Sequence, residues 1–245
     1  QSNNQPILNK SIQIIVTESQ EAAGKVASRL FINKVSQAPG LVLLPGGKSP
    51  IPFYRELAKD MLNWDNISIM PTDDRVVPLN NIYSNTGMIQ RELFGRISAN
   101  SSPKLIKVFP ENDKDIDNSL FEIKQIFKRN LPNIAILGMG SDGHTAGIFG
   151  ESQKDEYVYY FQNKEDNFKR ITISMRVLMK IPNLVFLIMG KEKRGMLTKV
   201  ISKWDSKNYT PIGYLLRNGI GVKSIICDIQ AAPIGFTIGE TELVL

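Results

Sequence analysis

Histidine and cysteine are nearly missing from this chain: 245 residues hold one of each, His144 and Cys227. One cysteine excludes an internal disulfide, and no Cys/His spacing of the zinc-finger kind is present. Cys227 ends the apolar run Ser224-Ile225-Ile226-Cys227, so it reads as a buried small hydrophobe rather than a nucleophile. No uninterrupted apolar run is long enough to cross a bilayer. The polar start Gln1-Ser2-Asn3-Asn4-Gln5-Pro6 lacks the apolar stretch of a signal peptide. Lys and Arg outnumber Asp and Glu by 30 to 24, for a net charge of +6. These basic residues are scattered, and no aromatic-rich RNA-binding strand accompanies them. The excess therefore reads as a positive field around a pocket for a small anion. Nucleic acid and membrane are not expected partners, and a cytoplasmic enzyme fits best. The oligomeric state is left open.

What is present is ordinary globular composition, 42% hydrophobic and 22% charged. The length suits one α/β domain, expected over residues 11–245, with residues 1–10 set outside it as a disordered or tag-derived segment. Short apolar runs predict strands at Ile12–Val16, Leu41–Leu44, Ile67–Met70, Leu105–Val108, Asn133–Leu137, Ile171–Ser174, Leu184–Met189, Val222–Cys227 and Ile234–Ile238. Helical spacing predicts helices over Glu18–Lys34, from Ser49-Pro50 through Phe53, Leu57 and Met61, through Ile89 and Leu93, over Leu120–Phe127, and over Glu192–Ile201. This alternation calls for a Rossmann-like, mostly parallel sheet flanked by helices. Ligands of such sheets bind at the carboxyl ends of the strands.

Three unusual loops follow predicted strands, which points to one shared site. Gly46-Gly47-Lys48-Ser49-Pro50 pairs two glycines with a cation, a hydroxyl and a helix start, a combination able to cradle a phosphate. It is not a Walker A loop, whose glycine spacing is absent. Thr72-Asp73-Asp74-Arg75-Val76-Val77-Pro78, followed by Ser84-Asn85, sets carboxylates beside an arginine that can grip phosphate in a bidentate manner. No histidine accompanies these carboxylates, and the oxygen ligands of a hard-cation site cannot be assembled from them. Neither a metal nor another cofactor is expected.

The third loop is Gly138-Met139-Gly140-Ser141-Asp142-Gly143-His144-Thr145-Ala146-Gly147. His144 is the chain's one side chain whose unperturbed pKa lies near neutrality. Asp142 is close enough in sequence to orient its ring, and Gly140 and Gly143 allow a tight backbone whose N–H groups can face an oxyanion. Downstream, Arg170 and the lysines of Gly190-Lys191-Glu192-Lys193 lie at strand ends and can add cations.

Together these segments resemble the 6-phosphogluconolactonases of the sugar-phosphate isomerase and deaminase superfamily, over about Leu41 to Lys193. The Gly-Gly-x-[Ser/Thr]-Pro turn matches 46–50. The Asp-Glu-Arg-x-Val-Pro…Ser-Asn motif matches 73–78 with Ser84 and Asn85. The Gly-x-Gly-x-Asp-Gly-His-Thr-Ala motif, the most specific, matches 138–146. The Arg-[Ile/Val]-Thr strand matches 170–172, and Gly-x-x-Lys matches 190–193, favouring Lys193 over Lys191. Departures are Asp74 for Glu, Gly147-Ile148-Phe149-Gly150 for Ser-Leu-Phe-Pro, and Arg176 and Met179 for Pro and Asn.

The resemblance implies hydrolysis of 6-phospho-D-glucono-1,5-lactone. His144 would be general base, helped by Asp142 or Asp73, with loop N–H groups as the oxyanion site. Arg75, Arg170, Lys193 and Lys48 would hold the phosphate, alongside Gly46, Gly47, Ser49, Asn85, Gly140 and Gly143. Two alternatives share the fold. One is a glucosamine-6-phosphate deaminase, from whose usual motifs Thr145 and Arg75 depart. The other is a non-catalytic sugar-phosphate sensor, against which the intact Asp142-Gly143-His144 argues.

Overall fold

The computed structural model describes residues 11–107, 109–150, 155–202 and 209–245. The strands in chain order are β1 (Ser11–Thr17), β2 (Leu41–Leu44), β3 (Ser68–Pro71), β4 (Asp73–Arg75), β5 (Lys104–Leu105), β6 (Ile134–Leu137), β7 (Val158–Gln162), β8 (Lys169–Ile173), β9 (Asn183–Ile188), β10 (Val222–Asp228) and β11 (Gly239–Val244). The helices are α1 (Gln20–Gln37), α2 (Ile51–Leu57), α3 (Asn85–Glu92), α4 (Ile116–Arg129), α5 (Met175–Leu178), α6 (Arg194–Ile201) and α7 (Pro211–Asn218).

Eight strands form the main sheet in the order β11-β1-β10-β9-β6-β2-β3-β5. Every neighbouring pair is parallel except β1 with β11. This is the mostly parallel sheet with flanking helices expected from the sequence. Its strands are buried on both faces, so their residues divide by period two between two cores. Val42, Leu44, Ile134, Ile136, Val185 and Leu187 pack with α1, α2 and α3. Leu41, Leu43, Ala135, Leu137, Leu184 and Phe186 face the other layer, which contains α7 and a second, smaller sheet. Each fully buried side chain of this kind contributes about 1.5–3 kcal/mol by leaving water. Phe31 of α1 meets Phe53 of α2 edge to face at 5.7 Å.

The topology places a site. From β2 the chain moves outward through α2 to β3 and β5; from β6 it moves the opposite way, to β9 and β10. β2 and β6 are neighbours in parallel register. Their outgoing loops therefore diverge and leave a crevice at their carboxyl ends, the switch point of an open α/β sheet.

Several elements differ from expectation. Asp73–Arg75 is a strand, not a loop, and Ile171–Ser174 does not join the main sheet: β4, β8 and β7 form a separate antiparallel sheet. α2 stops at Leu57, where tighter turns take over (Lys59 N–H to Glu56 O, Asp60 N–H to Leu57 O), and Met61 is left exposed. α3 ends at Glu92, with Leu93 as its cap. β5 covers Lys104–Leu105, and Val108 lies outside the described residues, as do residues 1–10. The strand expected at Ile234–Ile238 is a turn region. Pro233 cannot donate a hydrogen bond, Gly235 has φ +95°, and pairing begins at Gly239. β7 and α7 were not anticipated.

Cys227 is buried, and burial reinforced by the neighbouring Asp228 charge pushes its thiol up to about 12. That is the environment of an inert cysteine. No described helix is long and apolar enough to cross a membrane.

Candidate active site

A cavity of about 320 Å³ opens at the β2/β6 switch point. The turn after β2 supplies Gly46, Gly47, Lys48 and Ser49; β4 and the start of α3 supply Asp73, Arg75 and Asn85; the loop after β6 supplies Gly140 and His144; Arg170 and Lys193 complete the wall. These predicted residues span 148 positions of sequence, from Gly46 to Lys193, and share one space. Asp142 and Gly143 do not line it. They lie behind His144 and act on the loop.

That loop is built around one carboxylate. Asp142 Oδ1 accepts the His144 backbone N–H at 3.1 Å and lies 2.5 Å from ring Nδ1. Of the two carboxylates considered for this role, Asp142 is the one bonded to the ring. Burial raises Asp142's carboxyl, but the hydrogen bonds from His144's backbone and ring outweigh it and hold the group below its ordinary value. On the other side, the Phe149 ring stacks on the imidazole with centroids 4.2 Å apart. Thr145 Oγ1 ties the loop to Gly138 O at 2.8 Å, and the Gly147 N–H ties it to Thr172 Oγ1 of β8 at 2.9 Å. Gly140 makes room for this arrangement. A Cβ there would sit 2.0 Å from His144 Nδ1 and 2.7 Å from Asp142 Oδ1.

The same tightness corrects one expectation. The Gly140 N–H donates to His144 O, the Gly143 N–H to Gly140 O, and the His144 N–H to Asp142. These three donors close the loop on itself, which leaves only the Ser141 and Asp142 N–H groups of the 140–144 loop without an acceptor among the described residues. Among the described residues, the N–H groups of Gly46, Gly47 and Lys48 have no acceptor, and their turn lines the cavity. Gly46 itself abuts Asn85, whose side-chain N–H donates to Asp73 O at 2.8 Å.

Asp73 and Asp74 are adjacent but face opposite ways, as strand geometry requires. Asp73 reaches the cavity, where Thr72 Oγ1 donates to its Oδ1 at 2.8 Å. Burial raises its carboxyl, against the opposing pull of Thr72, Arg170, Arg75 and His144. Asp74 turns away. It accepts the backbone N–H groups of Arg75, Asn85 and Thr86 and the Thr86 hydroxyl, bracing the N-terminus of α3. Its carboxyl is raised because burial outweighs these bonds. The Asp-for-Glu departure therefore falls on a structural support, outside the cavity wall.

Arg75 and Arg170 stand side by side, paired across β4 and β8. Arg75 stacks against Tyr83 and Phe168, at 5.7 and 5.3 Å from the ring centroids, and donates to Tyr83 O at 3.0 Å. Burial, then the like charge of Arg170, lowers its ordinary basicity. Arg170 is buried, pairs with Asp166 and lies 5.9 Å from the Phe149 ring. The Nε atoms of both arginines are buried with no partner among the described residues. Buried or half-buried guanidinium groups with spare donors are suited to an anion that arrives with the ligand. Among the described residues no cluster of His, Cys, Asp and Glu could hold a metal.

The remaining departures lie off the cavity wall. Arg176 stacks on Tyr157 at 4.6 Å, and Met179 packs against the core. Phe149 and Thr172 stand in the sequence motifs without a site role, and Asp166 is not singled out in the sequence. Phe149 follows His144 by five positions in the same loop, but nothing in its local pattern distinguishes it from a core phenylalanine.

Comparison with known proteins identifies the family. The family described as glucosamine-6-phosphate isomerases/6-phosphogluconolactonase matches residues 17–221. A Thermotoga maritima protein named 6-phosphogluconolactonase is 34% identical over 171 residues, 65% of this chain and 74% of its own. A Helicobacter pylori protein of the same name is 31% identical over 183 residues, 72% of this chain and 78% of its own. The crystal structure of the Thermotoga maritima 6-phosphogluconolactonase superposes with a TM-score of 0.71 at 26% identity, over 89% of this chain and 99% of that one. A monomeric glucosamine-6-phosphate deaminase shares the fold, with a TM-score of 0.76 at 17% identity, over 89% and 98% of the two chains.

Proposed function

The chain belongs to the glucosamine-6-phosphate isomerase/6-phosphogluconolactonase family, and we infer that it is a lactonase converting 6-phospho-D-glucono-1,5-lactone to 6-phospho-D-gluconate. The observation that carries this reading is the placement of His144, paired with Asp142, on the wall of the cavity that Arg75, Arg170, Lys48 and Lys193 also line. A base and a set of cations lining one cavity suit a lactone that carries a phosphate. The curated relatives named 6-phosphogluconolactonase support the same activity.

In this mechanism Asp142 holds the Nδ1 side of the ring, which leaves Nε2 to take a proton from water. That water attacks the lactone carbonyl, and the tetrahedral intermediate collapses with loss of the ring oxygen. His144, now protonated, returns its proton to that oxygen. General-base action of this kind is worth about 10²–10⁴-fold, which is sufficient for an ester that already hydrolyses unaided. The unengaged N–H groups of the 46–48 turn, which lines the cavity, can receive an anionic group of the substrate. Asp73, inside the cavity beside the cations, orients a hydroxyl or the attacking water. Arg75, Arg170, Lys193 and Lys48 take the phosphate. No step calls for a metal or cofactor. The setting for such chemistry is the oxidative pentose phosphate pathway, in the cytoplasm.

The experiment is acid release from freshly generated 6-phosphogluconolactone, run beside ammonia release from glucosamine 6-phosphate. The reading expects the first and not the second. Ammonia release would make the chain a deaminase, and 6-phosphogluconate binding without turnover would make it a sensor.

A further inference from the structure

The turn between β7 and β8 places a negative charge beside Arg170, a residue of the cavity wall. Asp166 lies on this turn. Its Oδ1 accepts the Phe168 N–H at 3.1 Å, and its Oδ2 accepts from Arg170 Nη2. The Asp166 side chain is 35% exposed, whereas that of Arg170 is 8% exposed. Phe168, two residues on, sets its ring 5.3 Å from the Arg75 guanidinium and 5.0 Å from the Tyr83 ring. One short turn therefore touches both arginines of the cavity.

Two guanidinium groups in one cavity repel each other, and a carboxylate beside one of them offsets that repulsion. The same carboxylate meets an incoming phosphate as a like charge. It also occupies one of the donors that a bidentate phosphate contact would use.

We propose that Asp166 is a tethered counter-ion that competes with the substrate's phosphate for Arg170 and makes the site selective for doubly charged anions. A phosphate dianion gains enough from Arg170 and Arg75 together to displace the carboxylate. A neutral or singly charged group does not. Displacement is local, because Oδ1 can keep the Phe168 N–H while Oδ2 turns to solvent. The inference rests on placing the phosphate of the proposed substrate at Arg170 and Arg75.

Calorimetric titration of the full chain with inorganic phosphate tests it, comparing wild type with Asp166→Asn. Asparagine keeps an oxygen for the Phe168 N–H and removes the charge. Asp166→Asn is expected to bind phosphate about fivefold more tightly, the scale of a partly exposed ion pair. It is also expected to acquire measurable affinity for monoanionic dimethyl phosphate, which wild type rejects. Unchanged phosphate affinity overturns the proposal. Weaker affinity also overturns it and makes Asp166 a residue that positions Arg170. If wild type turns over the lactone yet neither protein binds phosphate, the lactonase reading stands. The placement of the phosphate then falls, and this inference falls with it.

Discussion

Asp142 grips His144 twice through one oxygen: Oδ1 lies 2.5 Å from the ring Nδ1 and 3.1 Å from the backbone N. The residue two places before the histidine thus fixes both the path of the loop and the direction of the ring. A single carboxylate links backbone shape to proton transfer.

Asp142→Asn should therefore lower kcat by about 10–100-fold, within the range that general-base action supplies, with KM little changed. The pH dependence has a defined sign. Asp142's folded value is depressed below the ordinary 3.8. Its contribution to stability is present above that value and is lost as pH falls through the folded value. The difference in Tm between wild type and Asp142→Asn should begin to shrink below about pH 3.8 and vanish only as pH falls through the lower folded value. A difference that grows in acid would contradict this.

Gly140→Ala should act as a displaced histidine. The new Cβ would sit 2.0 Å from Nδ1, and the exposed loop side can yield before the buried strand does. Activity should fall by about 10²-fold or more, while far-UV circular dichroism stays that of wild type. Retained activity would mean the ring need not occupy its present position.

Arg170→Ala and Lys193→Ala should mainly raise KM, by about tenfold each, because ionic contacts made equally in ground and transition states change binding rather than turnover. Steady-state kinetics would check this. An unchanged KM would remove that residue from the phosphate site.

Asp74→Ala should cost stability rather than chemistry. It strips acceptors from the Arg75, Asn85 and Thr86 N–H groups and the Thr86 hydroxyl. Unsatisfied buried donors cost about 1–3 kcal/mol each, so the four together are expected to cost at least about 4 kcal/mol by denaturant unfolding. Loss of activity with full stability would place Asp74 in the site instead.

The parallel core was legible because strands buried on both faces write themselves as unbroken apolar runs, such as Leu41–Leu44 and Leu184–Met189. The three site loops were legible because glycines and charges follow those runs directly. The small sheet was not, since β4 is three residues long and its partner β8 lies about a hundred positions away. β11 was misplaced because its exposed Glu240 and Glu242 look like loop, while the apolar stretch before it is broken by Pro233 and Gly235. The pair Asp73-Asp74 looked like one motif. Strand alternation gives its members separate tasks, one in the cavity and one at the α3 terminus. Three of the loop's N–H groups, those of Gly140, Gly143 and His144, turned out to have acceptors within the loop itself, which no sequence pattern announces.

The central claim is that His144 is the base. Its most direct test is the initial rate of acid release from freshly generated 6-phosphogluconolactone, with wild type and His144→Ala compared at equal concentration and corrected for spontaneous hydrolysis. A fall of about 10²–10⁴-fold in kcat, with 6-phosphogluconate binding retained, is the predicted result. Equal rates would contradict it.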